Sequence, residues 1–111
     1  MSKHLRKEEK RELKNKWNLV RQQVKDIQNN KCYLCNKEVY GKSANIHHII
    51  DKRFKELYLD INNLILLCPI CHRLGKIAVH NTSIYFSEIL RKKEPKRYKY
   101  LMNYLDLSLL N

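Results

Sequence analysis

The sequence predicts an α+β fold in which a small cysteine-rich module with short strands is flanked by amphipathic helices on both sides. Two Cys-x-x-Cys pairs, Cys32/Cys35 and Cys68/Cys71, enclose the middle of the chain. The segments on either side repeat apolar residues at helical spacing. A chain of 111 residues can bury only one modest core, so we expect a single domain. Its expected parts are an N-terminal helix in 1–30, a zinc-bound core in 31–81 and C-terminal helices in 82–111.

The first predicted helix covers residues 5–28. Its apolar positions recur at steps of three and four, and they are Leu13, Trp17, Val20, Val24 and Ile27. Asn29-Asn30 is expected to end this helix. Basic residues occupy the other face, and they are Lys7, Lys10, Arg11, Lys14, Arg21 and Lys25. That face could lie along a phosphate backbone or could be only a solvated surface.

Strands are predicted between the two cysteine pairs. The first pair should form a tight turn, followed by a short strand around Val39-Tyr40 and a second strand from Ala44 to Ile50. Side chains alternate along a strand, so His47 and His48 should point to opposite sides of it. A charged loop then leads to Leu64-Ile65-Leu66-Leu67, which is short and apolar enough to be a buried strand.

Helices are predicted for the rest of the chain. Pro69 suits the start of a helix that Gly75 would end. Thr82 or Ser83 can cap another helix that runs to about Lys93. Pro95 breaks that helix and begins a last one, which should extend to about residue 109. These C-terminal helices are expected to pack against the N-terminal helix and complete the core.

The charge balance indicates a polyanionic partner. There are 23 Lys and Arg residues against 11 Asp and Glu, a formal net charge of +12, which favours binding to a nucleic-acid backbone. Composition alone does not separate a nuclease from a ribosomal or other RNA-binding protein. The N-terminal residues are not an apolar leader, and no run reaches the roughly 18 apolar residues of a membrane span, so we expect an intracellular, cytoplasmic protein with no membrane partner.

The expected role of the four cysteines follows from the reducing conditions inside the cell. Under reducing conditions, paired Cys-x-x-Cys motifs are expected to hold structural Zn²⁺ through Cys32, Cys35, Cys68 and Cys71. The alternative is a secreted domain in which the same residues form two disulfides.

The histidines between and beside these pairs carry the most specific signal. Fourteen residues separate His48 from Asn63, and eight separate Asn63 from His72. This arrangement, with a Cys-x-x-Cys pair on each side, resembles the HNH endonuclease family over roughly residues 32–80. The resemblance implies a ββα-metal, treble-clef-like fold and metal-dependent hydrolysis of phosphodiester bonds. DNA is the expected substrate, with 5′-phosphate and 3′-hydroxyl ends, and a phage, restriction or mobile-element assembly is a conceivable setting.

The resemblance also assigns roles to residues. His48 would be the general base, a task that suits histidine because the unperturbed pKa of an imidazole, about 6.5, is close to working pH. His47, where many relatives have Asp, and His72 would bind a catalytic divalent metal. Asn63 would support the site through hydrogen bonds, although Asn is also common as a turn residue before a strand.

Three points stay open from sequence, and the first is whether the substrate is DNA or RNA. His80 could be a third metal ligand, a hydrogen-bond donor to the scissile phosphate or a surface histidine before the turn at Asn81. The catalytic metal could be Mg²⁺, Mn²⁺, Ni²⁺ or Zn²⁺, and an imidazole at position 47 favours the transition metals over Mg²⁺.

A second class of function also fits part of the sequence. A non-catalytic, zinc-stapled nucleic-acid-binding module would explain the net charge and the cysteines equally well. It would not explain why His47, His48, Asn63 and His72 occupy these positions. A ribosomal-type zinc protein would be expected to have a longer basic tail than the apolar end of this chain.

Overall fold

A short antiparallel sheet lies among α-helices in the structure, a computed structural model that describes residues 6–50, 54–73 and 83–110. The regular elements are α1 (Lys7–Ile27), β1 (Asn45–His48), β2 (Leu64–Leu67), α2 (Pro69–His72), α3 (Ser83–Lys93) and α4 (Pro95–Leu110). Single 3₁₀ turns occupy Gly41–Ser43, Lys55–Leu57 and Ile61–Asn63. The predicted α+β class is confirmed, and the order β1, β2, α2 is compatible with a ββα-metal module.

The N-terminal helix ends where the two asparagines were expected to end it. Asn29 and Asn30 have φ angles of 55° and 57°, in the left-handed region that asparagine tolerates better than most residues. Val24 is buried on the inner face, but the prediction that Ile27 shares this face is wrong, because its side chain is 65% exposed. Gln28, four residues after Val24, takes the inward position instead.

Gln28 covers the edge of β2 that does not pair with β1. Its amide nitrogen donates to the carbonyl of Leu66 at 3.1 Å, and the amide of Leu66 donates to its side-chain oxygen at 2.8 Å. The backbone amide of Tyr33 also donates to the Leu66 carbonyl, at 2.9 Å. A side chain and a turn therefore satisfy backbone groups that a third strand would otherwise pair with.

The two strands pair from Asn45 opposite Leu67 to His48 opposite Leu64. The first strand is shorter than the predicted range of 44–50, because the chain bends after His48 and the amides of Ile49 and Ile50 bond to Asn63 instead. All four residues of β2 are buried, as an apolar strand between helices requires.

The predicted strand around Val39-Tyr40 is wrong. Among the described residues, this part of the chain forms a single bridge, between Lys31 and Glu38. The turn at the first cysteine pair is so tight that the Cys32 amide bonds to the Lys37 carbonyl. The Val39 amide still donates to the carbonyl of Asn30 at 2.8 Å, but the left-handed backbone of Asn30 ends the extended segment there, so no longer ladder forms.

The C-terminal helices begin at Ser83 and Pro95, in agreement with the predicted starts, and Thr82 lies outside the described residues. The helix that begins at Pro69 is shorter than predicted, because it ends at His72 and Arg73 already has a non-helical backbone; Gly75, which was expected to end it, lies outside the described residues. Phe86, Leu90 and Leu101 are buried and belong to one core with β2 and Leu57. None of the helices in the described ranges is long and apolar enough to cross a membrane.

Candidate functional site

The two cysteine pairs converge on one point. Cys32 and Cys35 lie at the first tight turn, while Cys68 caps the N-terminus of α2 and its sulfur accepts a hydrogen bond from the Cys71 amide at 3.4 Å. The four Sγ atoms all lie within 4.8 Å of one another, and those of Cys35 and Cys68 are 3.7 Å apart. Zinc–sulfur bonds of about 2.3 Å in a tetrahedron give sulfur–sulfur edges of about 3.8 Å. The four thiols are therefore placed to hold one metal ion, and the site is consistent with zinc.

Electrostatics at the four thiols also favour a cation. Burial raises the pKa of Cys32, but hydrogen bonds from the backbone of Cys35, Cys68 and Leu34 outweigh that effect and lower the pKa to about 7. Burial raises the pKa of Cys71, and hydrogen bonding to Cys68 and the charge of the Cys32 thiolate raise it further. One thiolate thus suppresses ionisation of its neighbour. A bound dication removes this conflict and lets all four sulfurs act as thiolate ligands.

His47 and His72 meet on one side of the two-stranded sheet. Pro69 starts α2 directly after the second strand, and this short helix brings His72 to β1 with a ring-centroid distance of 5.4 Å from His47. Both side chains are nearly buried, at 7% and 8% exposure. Two imidazoles that bind one ion at about 2.1 Å have centroids about 5 Å apart, so this pair could provide two ligands. His80 lies outside the described residues.

His48 faces the other side of the sheet, toward α1. Its Nε2 lies 3.1 Å from the carbonyl oxygen of Tyr58. A carbonyl can only accept a hydrogen bond, so Nε2 carries a proton and donates it, and the lone pair of the neutral ring is on Nδ1. The imidazole stacks on Trp17, with centroids 5.3 Å apart and planes 8° from parallel, and on Tyr58, with centroids 5.0 Å apart.

Asn63 ties the two ends of the loop between the strands. Its side-chain oxygen accepts from the Ile50 amide at 2.6 Å, and its nitrogen donates to the carbonyls of Ile50 at 3.0 Å and Leu57 at 3.2 Å. The side chain is fully buried. These bonds hold the chain that leaves β1 after His48 against the chain that enters β2.

The structure thus brings His47 to His72 and places Asn63 at the base of the same hairpin. It adds two neighbours of His48 that sequence reasoning did not connect to it. Trp17 was recognised only as part of an apolar stripe, and Tyr58 only as part of a charged loop. Neither residue has a spacing relation to His48 that could have revealed the contact, because the ring contacts depend on how α1 packs on the sheet.

Comparison with known proteins agrees with this geometry. Residues 32–75 match the family model described as HNH endonuclease. The matched segment includes the four cysteines, the His47–His48 pair, Asn63 and His72, and it excludes α1, α3 and α4. No curated protein and no solved structure matches the chain. The family resemblance expected from the sequence is confirmed.

Proposed function

We propose that this chain, whose residues 32–75 match the HNH endonuclease family, is a metal-dependent endonuclease that hydrolyses phosphodiester bonds, with DNA as its substrate. The observation that carries the proposal is the arrangement of three imidazoles on two adjoining elements. The ring centroids of His47 and His72 lie 5.4 Å apart. His48, which follows His47 in the strand, has its tautomer set by the carbonyl of Tyr58.

His48 is proposed as the general base. Hydrolysis requires a group that removes a proton from water as the water attacks phosphorus. The hydrogen bond from Nε2 to the Tyr58 carbonyl leaves the basic lone pair of the neutral ring on Nδ1. That bond also orients the ring, in the way that the partner of a catalytic histidine usually does.

His47 and His72 are proposed to hold the catalytic divalent ion, and His80, which lies outside the described residues, is proposed as a third ligand. When bound there, the ion supplies positive charge beside the phosphate and the departing oxygen. Neutral imidazoles suit Mn²⁺, Ni²⁺ or Zn²⁺ better than Mg²⁺. Asn63 supports the base indirectly, since it fixes the backbone that follows His48.

The proposed products follow from the bond that breaks. Water oxygen forms a bond to phosphorus, His48 takes the proton from water, and the 3′-oxygen leaves and is protonated by solvent. The ends are then 5′-phosphate and 3′-hydroxyl. The net charge of +12 supports a nucleic-acid substrate, because basic residues bind the phosphate backbone irrespective of sequence.

The test is plasmid nicking by single-site variants under a series of divalent ions. His48→Ala should lower the cleavage rate about 10²- to 10⁴-fold, the usual contribution of positioned proton transfer, and should keep DNA affinity. His47→Ala and His72→Ala should regain part of their activity when the divalent ion concentration is raised, because they weaken ion binding. His48→Ala should not regain activity in this way.

The same experiment separates the nuclease from the binding-module alternative. Wild-type protein that binds DNA but cleaves none, with every divalent ion tested, would favour a non-catalytic zinc-stapled module. Wild-type cleavage by His48→Ala, in a preparation shown to be free of contaminating nuclease, would reject His48 as the base. End-labelling of the cut strand with and without prior phosphatase treatment would test the proposed 5′-phosphate.

A further inference from the structure

Three aromatic rings join the N-terminal helix to the strand that carries His48. Trp17 on α1, His48 on β1 and Tyr58 in the loop between β1 and β2 form a cluster in which each ring contacts the other two. Centroid distances are 5.3 Å for Trp17–His48, 5.0 Å for His48–Tyr58 and 5.4 Å for Trp17–Tyr58. We call these residues the three-ring cluster. The contact lies partly outside the family match, because Trp17 precedes residue 32.

The cluster and the Tyr58 carbonyl restrain different motions of the imidazole. The hydrogen bond at Nε2 fixes the direction in which one ring nitrogen points. The indole plane, 8° from parallel, fixes the plane in which the ring lies. A histidine side chain has only two rotatable bonds, so these two restraints together define where Nδ1 points.

The helix that supplies Trp17 is itself attached to the sheet. Val24, on the same face two turns along α1, is buried in the core, and Gln28 makes two hydrogen bonds with Leu66 of β2. The indole is therefore held relative to β1 through the paired strands. Aromatic pairs prefer such offset stacking, which gives the contact a defined geometry.

We propose that Trp17 is a positioning residue for His48, so that α1 is part of the active centre although it lies outside the matched segment. This inference rests on the proposed function of His48 as the base. Displacing a reacting group by about 1 Å can slow a reaction about 100-fold. Loss of the indole should therefore reduce kcat and should leave KM nearly unchanged, because Trp17 orients the base and does not bind the substrate.

The kinetic test uses the full chain with Trp17→Leu, Trp17→Phe and a matched control on the same helix. Trp17→Leu should lower kcat about 10- to 100-fold, while KM stays within about twofold. Trp17→Phe, which keeps a flat ring, should recover most of the loss. Leu19→Ala should behave as wild type, since Leu19 is exposed. Equal kcat for wild type and Trp17→Leu would overturn the proposal.

A spectroscopic test does not depend on cleavage. Protons of an imidazole that lies over an indole face resonate upfield of ordinary histidine protons. The His48 signals are assigned by their absence from the two-dimensional aromatic NMR spectrum of His48→Gln, recorded at a pH at which imidazole is neutral. Trp17→Leu should move these signals downfield, with zinc content unchanged. Unshifted His48 protons in the wild type would overturn the positioning role. An upfield shift in a protein that cleaves no nucleic acid would support the contact and reject only the proposed function.

Should Trp17→Leu fail to fold, two other observations decide. Trp17 is the only tryptophan in the chain, so indole fluorescence reports on this site alone. His48→Ala should change the emission intensity of the folded protein, and His47→Ala, on the opposite face of β1, should not. Identical emission for all three proteins would contradict the stacking and overturn the positioning role.

Discussion

Asn63 shows how one buried amide can both end a turn and tie two segments of backbone together. It is the last residue of the 3₁₀ turn Ile61–Asn63, directly before β2. Its side chain also makes three hydrogen bonds with the backbone of Ile50 and Leu57. The turn and support interpretations that the sequence left open are therefore compatible with each other. The backbone fixed in this way begins two residues after His48.

Removal of the Asn63 amide should destabilise the whole domain. Asn63→Ala would leave one amide and two carbonyls without these bonds at a fully buried position, and each such group costs about 1–3 kcal/mol. With partial relaxation, we expect a loss of about 2–4 kcal/mol in the free energy of unfolding, measured by urea denaturation. Asn62→Ala is the matched control, because the neighbouring side chain is exposed and should have little effect. Equal urea midpoints for the two variants would contradict this account.

The sequence predicted this residue as part of the site but not the atoms that it contacts. Spacing from His48 and His72 identified Asn63, since family motifs are recognised along the chain. Its partners Ile50 and Leu57 are specified through backbone groups, which have the same chemistry in every residue. The contact of Trp17 with His48 was missed for a related reason: an apolar stripe predicts a buried face but not which residue of another element lies opposite.

At the scale of elements, Arg97 connects the last helix to the turn that carries Asn63. Its guanidinium donates to the carbonyls of Ile61 at 3.1 Å, Asn62 at 2.7 Å and Leu64 at 2.6 Å. The side chain is only 15% exposed, and it also pairs with Glu94 at 3.0 Å. A planar group with five donors can serve several carbonyls at once, which a lysine ammonium does less well.

Replacement of Arg97 should therefore loosen α4 from the turn at Ile61–Asn63. Arg97→Ala should lower the free energy of unfolding by about 2–4 kcal/mol. Each hydrogen bond to a charged group contributes about 1.5–3 kcal/mol, and these contributions are not additive. Arg97→Lys should fall between wild type and alanine. The measurement is thermal and urea unfolding, with Arg91→Ala as control, since Arg91 forms an exposed pair with Glu88 that should contribute little. Loss of equal stability in the Arg91 and Arg97 variants would refute the anchoring role.

Among the secondary-structure elements, some could be predicted from local sequence signals and others could not. The starts of α3 and α4 were predictable because capping residues and Pro95 mark them locally. The strand expected around Val39-Tyr40 did not form, because the left-handed Asn30 opposite it limits pairing to one bridge. A β-branched residue beside an aromatic residue favours a strand, but the partner that a strand requires is set elsewhere in the chain. Arg97 likewise left no signal in the pattern.

For the whole molecule, the four cysteines lie where the first turn, α2 and the C-terminal helices meet. Tyr33, between Cys32 and Cys35, is buried and packs against Phe86 of α3, and its hydroxyl donates to Glu94. The Nζ atom of Lys93 lies 4.1 Å from the centroid of the Tyr33 ring and donates a hydrogen bond to the backbone carbonyl of Tyr33. Cys71 directly precedes His72, so the metal site also sets the position of one proposed catalytic ligand. A single ion at these thiols would thus hold the first turn, α2 and the C-terminal helices together.

Loss of an ion from these thiols should consequently abolish the fold and, with it, the proposed activity. We expect about one zinc per chain by elemental analysis, and we expect a strong chelator to unfold the module, because structural zinc contributes directly to folding. Added Zn²⁺ or Co²⁺ should restore the structure, and Co²⁺ should give the near-ultraviolet charge-transfer absorption of thiolate ligands. Mg²⁺ should not restore it, since thiolates bind this ion poorly. Cys71→Ser should weaken zinc binding and reduce helix content, whereas Ser43→Ala, at an exposed turn, should do neither. A metal-free protein with an unchanged circular dichroism spectrum would show that packing alone holds His72 beside His47.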